Sequence, residues 1–205
     1  MSGIVAPRYY GEMNEMIEFD GADTAELLIQ IGRLAYAESG KAGLTPTQWM
    51  ALRYFARANR FSRTVSAFAD YHATTRGTVS QTVKTLTDRG YLSRRRSETD
   101  GRSVRFDLTE QGRDVIAADP LARLIGLIEE LQPDALEAFA VQVSGIASDL
   151  SEALGRPGFG PCKRCRFLDE DSRSAESARS PRCRYVGQTL EPSDLAGLCV
   201  NFAAV

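Results

Sequence analysis

Apolar residues recur along this chain with a period near 3.6 in most stretches and a period of two in one. That switch divides the sequence into elements. Residues 1–20 (MSGIVAPRYYGEMNEMIEFD) show neither period and read as an arm. From Asp23 the spacing of Leu27, Leu28, Ile31, Leu34 and Ala35 predicts a helix, ended by Gly40 and Gly43. Thr45-Pro46-Thr47-Gln48 is a capping box with proline at the first helical position. The helix it opens carries Trp49, Leu52 and Phe55, both aromatics as core residues, and ends near Asn59. A short helix over Thr64 to Tyr71 buries Val65, Phe68 and Ala69, with His72 as a surface or cap residue. Thr74 is the expected N-cap of the next helix. That helix runs to Arg89, stops at Gly90, and turns Val79, Val83 and Leu86 inward at i, i+4, i+7.

After Gly90 the period becomes two. Residues 91–95 (YLSRR) and 103–108 (SVRFDL) read as strands, joined through Thr99-Asp100-Gly101-Arg102, where Asp-Gly tolerates positive φ. Thr109 caps a following helix, with Glu110 and Asp114 near its positive end. Pro120 interrupts that helix, and Leu124, Leu127, Ile128 and Leu131 continue an apolar face. Beyond a break at Gln132-Pro133-Asp134, a long helix spaces Leu136, Phe139, Val143, Ile146 and Leu150 by 3, 4, 3, 4, a heptad-like seam suited to a dimer interface or to packing on its own core. Residues 155–161 (GRPGFGP) read as a linker. The expected organisation is an arm (1–22), a helical domain with a strand hairpin (23–154), the linker, and a small unit over 162–205. The expected class is mainly α, with α+β character.

Composition adds little until it is localised. The 205 residues carry a net charge of only −2. Between Thr45 and Asp107, however, twelve Lys and Arg stand against five Asp and Glu, an excess of seven positive charges. A basic segment inside a slightly acidic chain is a footprint for phosphate backbones, although a solvated Arg-rich face is the plainer reading of the same count. No apolar run approaches the ~20 residues needed to span a bilayer. No basic-then-apolar leader opens the chain, so a cytoplasmic protein without a membrane partner is expected. One histidine, His72, makes a Ser-His-Asp triad improbable, and no glycine-rich phosphate loop is present. A catalytic site is not expected.

The element order helix, helix, short helix, longer helix, strand, Asp-Gly turn, strand, helix is that of a winged helix-turn-helix. In such a module the second helix of the pair enters the major groove and the hairpin reaches an adjacent groove or backbone. The candidate reading residues are Thr74, Thr75, Arg76, Gly77, Thr78, Ser80, Gln81 and Lys84, where small hydroxyls and Gly allow close approach and Arg and Gln can grip base edges in pairs. The wing offers Arg94, Arg95, Arg96, Asp100, Arg102 and Arg105.

The segments TVSQTVKTLTDRGYLSRR, DGR and LTEQG, within the stretch from Asp23 to Leu154, resemble the MarR family of bacterial transcription regulators. The resemblance implies long N- and C-terminal helices that build a homodimer. It also implies a pseudo-palindromic operator in double-stranded DNA, and repression as the usual outcome. Asp100 and Arg102 match the family's wing pair, in which the Arg enters the minor groove and the Asp steadies a neighbouring Arg. Many members hold a small-molecule effector between their two parts, and no residues of this chain mark that pocket. The chain after Leu154 departs from the family.

All four cysteines lie in that departing stretch, as Cys162-x-x-Cys165, Cys183 and Cys199. A Cys-x-x-Cys turn presents two sulfurs to one metal ion or cluster, and two further thiolates complete a four-sulfur metal-binding tail. One close pair with two scattered singles fits an iron–sulfur cluster, while structural zinc more often takes two close pairs. Phe159, Phe167, Tyr185 and Phe202 lie near the ligands in sequence and can shield a cluster. Lys163, Arg164, Arg166, Arg182 and Arg184 can offset its charge. A thiol switch at Cys162 and Cys165, and inert buried thiols, remain alternatives. Three functions follow: a repressor whose cysteine unit senses redox state, oxygen or iron; a small-molecule-responsive repressor with structural zinc; and a small thiol redox enzyme.

Overall fold

The computed structural model describes residues 20–37, 43–96, 104–170 and 180–204. The chain divides into two units, Met1–Ala37 and Glu38–Val205. The first holds helix α1 (Gly21–Ala35), which starts where the Asp20 carboxylate accepts the Asp23 amide at 2.8 Å. It therefore begins two residues before the expected Asp23, and it ends at Ala35 with Tyr36 as cap, short of Gly40 and Gly43. Gly40 lies outside the described residues. Leu27, Leu28, Ile31 and Leu34 form the expected apolar stripe and are exposed.

The second unit opens with the anticipated capping box. The Thr45 hydroxyl accepts from the Gln48 amide at 3.3 Å and the Gln48 side chain takes the Thr45 amide at 2.9 Å, which starts α2 (Pro46–Arg57). The short helix α3 (Val65–Tyr71) is capped by Thr64 and ends on His72, whose ring stacks on Phe68. Helix α4 (Arg76–Asp88) follows and buries Val79, Val83 and Leu86 as the spacing predicts. Its N-cap is Thr75, not Thr74. Ala73 adopts a left-handed φ of 53° and lengthens the turn by one residue, which leaves Thr75 to accept the Thr78 amide at 3.2 Å.

Strands β1 (Leu92–Arg96) and β2 (Val104–Leu108) pair antiparallel, with Leu92 opposite Leu108 and Arg96 opposite Val104. The turn between them, with Asp100 and Arg102, lies outside the described residues. Thr109 then caps α5 (Glu110–Ala117). The chain breaks around Pro120 as anticipated, and Arg53 reaches from α2 to grip both oxygens of Asp119 at 2.7 and 2.8 Å there. Helices α6 (Ala122–Glu129) and α7 (Pro133–Ala153) complete the helical part. Neither has a buried residue, though α7 is 21 residues long. Among the described residues, no helix is long and apolar enough to cross a membrane.

The core of this part lies between α2, α3, α4 and the strands. Trp49, Leu52, Phe68, Val79 and Leu86 are fully excluded from solvent. Tyr54, Phe55 and Phe68 stack within 5.2–5.7 Å of one another. Each such side chain contributes roughly 1.5–3 kcal/mol by burial, which is what fixes α4 on its support.

After α7 the elements become very short: β3 (Gly160–Pro161), a 3-10 turn at Cys162–Arg164, β4 (Leu168–Asp169), β5 (Arg182–Cys183), β6 (Gln188–Thr189), α8 (Pro192–Ala196) and β7 (Leu198–Cys199). Strand β3 pairs with β7, and β4, β5 and β6 form a second small sheet. The end of the expected linker is thus part of this fold. Gly160 opposes Cys199 and faces the Phe202 ring, where a Cβ would come within 2.7 Å.

Candidate nucleic-acid face and the cysteine unit behind it

Helix α4 separates its residues cleanly. Thr75, Arg76, Gly77, Thr78, Ser80, Gln81 and Lys84 are exposed, opposite the buried Val79, Val83 and Leu86. Thr74 is half-buried and outside the helix. The Thr75 and Thr78 hydroxyls lie 2.9 Å apart and share one hydrogen bond at the cap. Lys84 pairs with Asp88 at 3.3 Å, an exposed i,i+4 contact of small energetic weight. The helix therefore offers solvent one short row of hydroxyl, amide and guanidinium groups on a rigid apolar support.

The wing strands carry the other candidates. Arg94, Arg95 and Arg96 are exposed on β1, and Arg95 stands opposite Arg105 on β2. Two guanidinium groups across one strand pair repel unless an anion lies between or beside them. Asp107 partly serves, 3.6 Å from Arg95 and 2.7 Å from Arg63. Positive charge is thus concentrated at the hairpin.

The four cysteines fall within the small C-terminal unit. Cys162 and Cys165 flank the 3-10 turn, with the Cys165 amide donating to the Cys162 carbonyl at 3.0 Å. Cys183 opposes Leu168 in the small sheet, and Cys199 ends β7. Cys162, Cys165 and Cys199 are buried and Cys183 is half-buried. Cys162 and Cys199 form a hydrogen-bonded sulfur pair. That bond, reinforced by others from Asn59, the Asn201 amide and Ser62, holds the Cys199 thiol below its ordinary range against the opposing effect of burial. The same pairing and burial push Cys162 up. Among the described residues, no three His, Cys, Asp or Glu side chains are grouped as a ready metal site.

The structure gives the aromatic and basic residues near the cysteines the following partners. Phe159 packs on Tyr71 and Tyr54 of the helical part, at 5.1 and 6.3 Å. Phe167 and Tyr185 stack on each other at 5.2 Å, and Tyr185 is largely exposed. Lys163, Arg164, Arg166, Arg182 and Arg184 are all exposed. Arg166 lies over the Phe167 ring, Arg184 donates to the Arg166 carbonyl, and Arg182 donates to the Gly187 carbonyl. Their heads are engaged at the surface.

Sequence reasoning missed the residues that join the two parts. Asn59 and Ser62 are buried polar residues in the loop between α2 and α3. Asn59 Nδ2 donates to Cys162 Sγ at 3.7 Å, and its backbone amide donates to the Leu198 carbonyl at 2.9 Å. Arg60 Nε lies 3.4 Å from the buried Asp194 carboxylate, and its Nη1 lies 2.9 Å from Glu191. No local period marks such residues.

Comparison with known proteins agrees with this geometry. Residues 42–103 match the MarR family model. No curated protein matches the chain. A MepR–DNA complex from S. aureus is similar at TM-score 0.53 and 18% identity, over 66% of this chain and 99% of that one. CouR from Rhodococcus jostii RHA1, bound to p-coumaroyl-CoA, is similar at 0.51 and 20%, over 61% and 92%. A MarR/EmrR family regulator from Acinetobacter sp. ADP1 is similar at 0.51 and 21%, over 64% and 94%. At these identities the likeness is one of fold. Over residues 42–103 the chain matches the MarR family, and the fold it shares with these structures is the winged helix-turn-helix.

Proposed function

We propose that the chain acts as a homodimeric repressor that reads a pseudo-palindromic DNA operator with α4 and the wing, and that its cysteine unit senses redox state, oxygen or iron through an iron–sulfur cluster. The observation that carries the DNA reading is the exposed row from Thr75 to Lys84, backed by an apolar face with no freedom to turn. Arg76 and Gln81 have the donor and acceptor sets for base edges, and Arg94, Arg95, Arg96 and Arg105 have the charge for phosphates. A solved relative in complex with DNA supports the same use of the fold.

Dimerisation is supported by what α7 leaves uncovered. Phe139, Val143, Ile146 and Leu150 are 36–59% exposed, so among the described residues the 21-residue helix has an apolar face in want of a partner. A second copy supplies it. The two recognition helices would then address successive major grooves, spaced by the ~34 Å helical repeat.

The donor set of the C-terminal unit is four thiols from one small fold, in a segment without a core of its own. A cluster takes one thiolate per ligand position spread over several irons, and so accepts a wider set than a single ion. Cys162, Cys165, Cys183 and Cys199 would hold it, and when bound it would supply one-electron redox chemistry and sensitivity to oxygen. This chain's own residues supply the connection of that unit to both α7 and the α2–α3 loop.

Selection of bound duplexes from a random library, followed by titration, tests the reading. An enriched inverted repeat bound by a protein of twice the chain mass is expected. Arg76→Ala should cost ~1–3 kcal/mol and relax preference at one position of each half-site. No enrichment, or unaltered selectivity in Arg76→Ala, overturns the assignment. Iron and acid-labile sulfide in protein purified without air test the cluster.

A further inference from the structure

The loop between α2 and α3, residues 58–63, belongs to the winged-helix module and is clamped from two sides. On one side it meets the cysteine unit. Ala58 forms an isolated bridge with Leu198, and the Asn59 amide donates to the Leu198 carbonyl at 2.9 Å. Ser62 Oγ accepts the Val200 amide at 2.8 Å. The approach is backbone to backbone: a Cβ on Gly197 would lie 2.9 Å from the Asn59 nitrogen, so no side chain fits between them. On the other side the loop holds the reading elements. Arg63 accepts the Phe106 amide of β2 at 2.9 Å and pairs with Asp107 at 2.7 Å. The Thr64 amide donates to the Ser62 carbonyl at 2.8 Å, and Thr64 is the cap of α3.

Asn59 stands at the centre of this clamp and is only 1% exposed. Both acceptor directions of its side-chain oxygen are taken within the loop, by the Phe61 amide at 3.1 Å and the Ser62 hydroxyl at 3.0 Å. Its amide nitrogen is left to face sulfur, reaching Cys162 at 3.7 Å and also serving Cys199. A buried amide with one direction filled by a sulfur is sensitive to that sulfur. Hydrogen bonds to an anionic acceptor are about twice as strong as neutral ones, and a buried donor that loses its acceptor carries the full desolvation penalty.

We propose that Asn59 and Ser62 are outer-shell residues of the cysteine site, contributed by the winged-helix module, and that they transmit the chemical state of Cys162 and Cys199 to α3 and the wing. This rests on the reading of the cysteines as the sensing site. The signal then passes through the six residues 58–63, next to the reading helices. Sulfurs that accept from Asn59 keep the loop closed on β7. Sulfurs that no longer accept free the carboxamide, and the Arg63 and Thr64 contacts to β2 and α3 loosen with it.

The test is amide hydrogen exchange on the full chain, with the thiols free or capped by p-hydroxymercuribenzoate. In the native sequence, capping should raise exchange in 58–63 and 104–108 by about fivefold or more, the loss of one buried hydrogen bond, while 46–57 stays protected. In Asn59→Leu, which keeps volume but has no donor, those segments should already exchange fast and capping should add nothing. Should that variant not fold, Ser62→Ala removes the acceptor of Val200 and carries the same expectation. Faster exchange confined to 160–204 overturns the proposal. DNA affinity measured on the same samples separates the two readings. Affinity that changes on capping without any change at 58–63 sinks this coupling and keeps the sensor. Exchange that changes at 58–63 without any change in affinity keeps the coupling and sinks the sensor.

Discussion

The winged-helix core and the cysteine unit are held by opposite means, although they touch. The first buries Trp49, Tyr54, Phe55, Phe68, Val79, Val83 and Leu86 between helices of 7–13 residues. The second has strands of two residues and a helix of five, and its buried set is Cys162, Cys165, Cys199, Leu190, Leu198 and the charged Asp194. Apolar burial is proportional to area and indifferent to the ligation state of a thiol, so the first region does not depend on the state of the cysteines. Polar and sulfur contacts depend on partner, protonation and ligation, so the second is conditional. A conditional region bonded to a loop of an unconditional one can report its own state without unfolding its neighbour.

The sharpest way to break this contrast is to attack the apolar core. Phe68 is fully buried and stacks on Tyr54 at 5.2 Å and Phe55 at 5.7 Å. Phe68→Ala should cost ~3–5 kcal/mol and lower the midpoint of denaturant unfolding for the entire second unit. If the cysteine unit keeps its protection from proteolysis in that variant, it stands on its own and takes no support from the winged-helix core.

A smaller effect is expected from the polar clamp. Asp194 is 2% exposed, accepts the Glu191 amide at 2.9 Å within its capping box, and faces Arg60 across the junction. Asp194→Asn keeps the shape and removes the charge, so roughly 1–2 kcal/mol of local stability should go, spread over residues 180–204. Limited proteolysis should then cut the C-terminal unit while the main thermal transition moves little. A single transition shifted as a whole would mean that the two regions melt as one.

The two regions also differ in how far their sequences announce them. The capping box at Thr45–Gln48, the inward row Val79, Val83, Leu86 and the period-two hairpin are local, and each stands where its spacing places it. The one-residue error at the α4 cap came from two adjacent threonines, either able to cap, with the left-handed Ala73 deciding between them. The cysteine unit is different. Its links to the winged helix join Asn59 to Cys162 and Arg60 to Asp194 across more than a hundred residues, and two-residue strands are too short to show a period. Phe159 lies close to the cysteines in sequence, and its packing on Tyr54 and Tyr71 of the helical part has no local signal either. Residue type identified the cysteines as a set, but nothing local identified the Asn and Ser that meet them.

The finest distinction between the regions is their response to acid. In the winged helix the one histidine, His72, caps α3 with its ring parallel to Phe68 at 5.6 Å, and burial lowers its pKa. The folded state therefore prefers the neutral ring. As pH falls through the ordinary histidine value of about 6.5, the unfolded chain takes up a proton that the folded chain resists, and stability declines. The loss continues until the folded ring also protonates. His72→Gln cannot titrate, so its melting temperature should fall less than that of the native sequence between pH 7.5 and pH 5.5, with the difference confined to the winged-helix transition. Equal losses in both proteins would place the acid-sensitive group outside this stack.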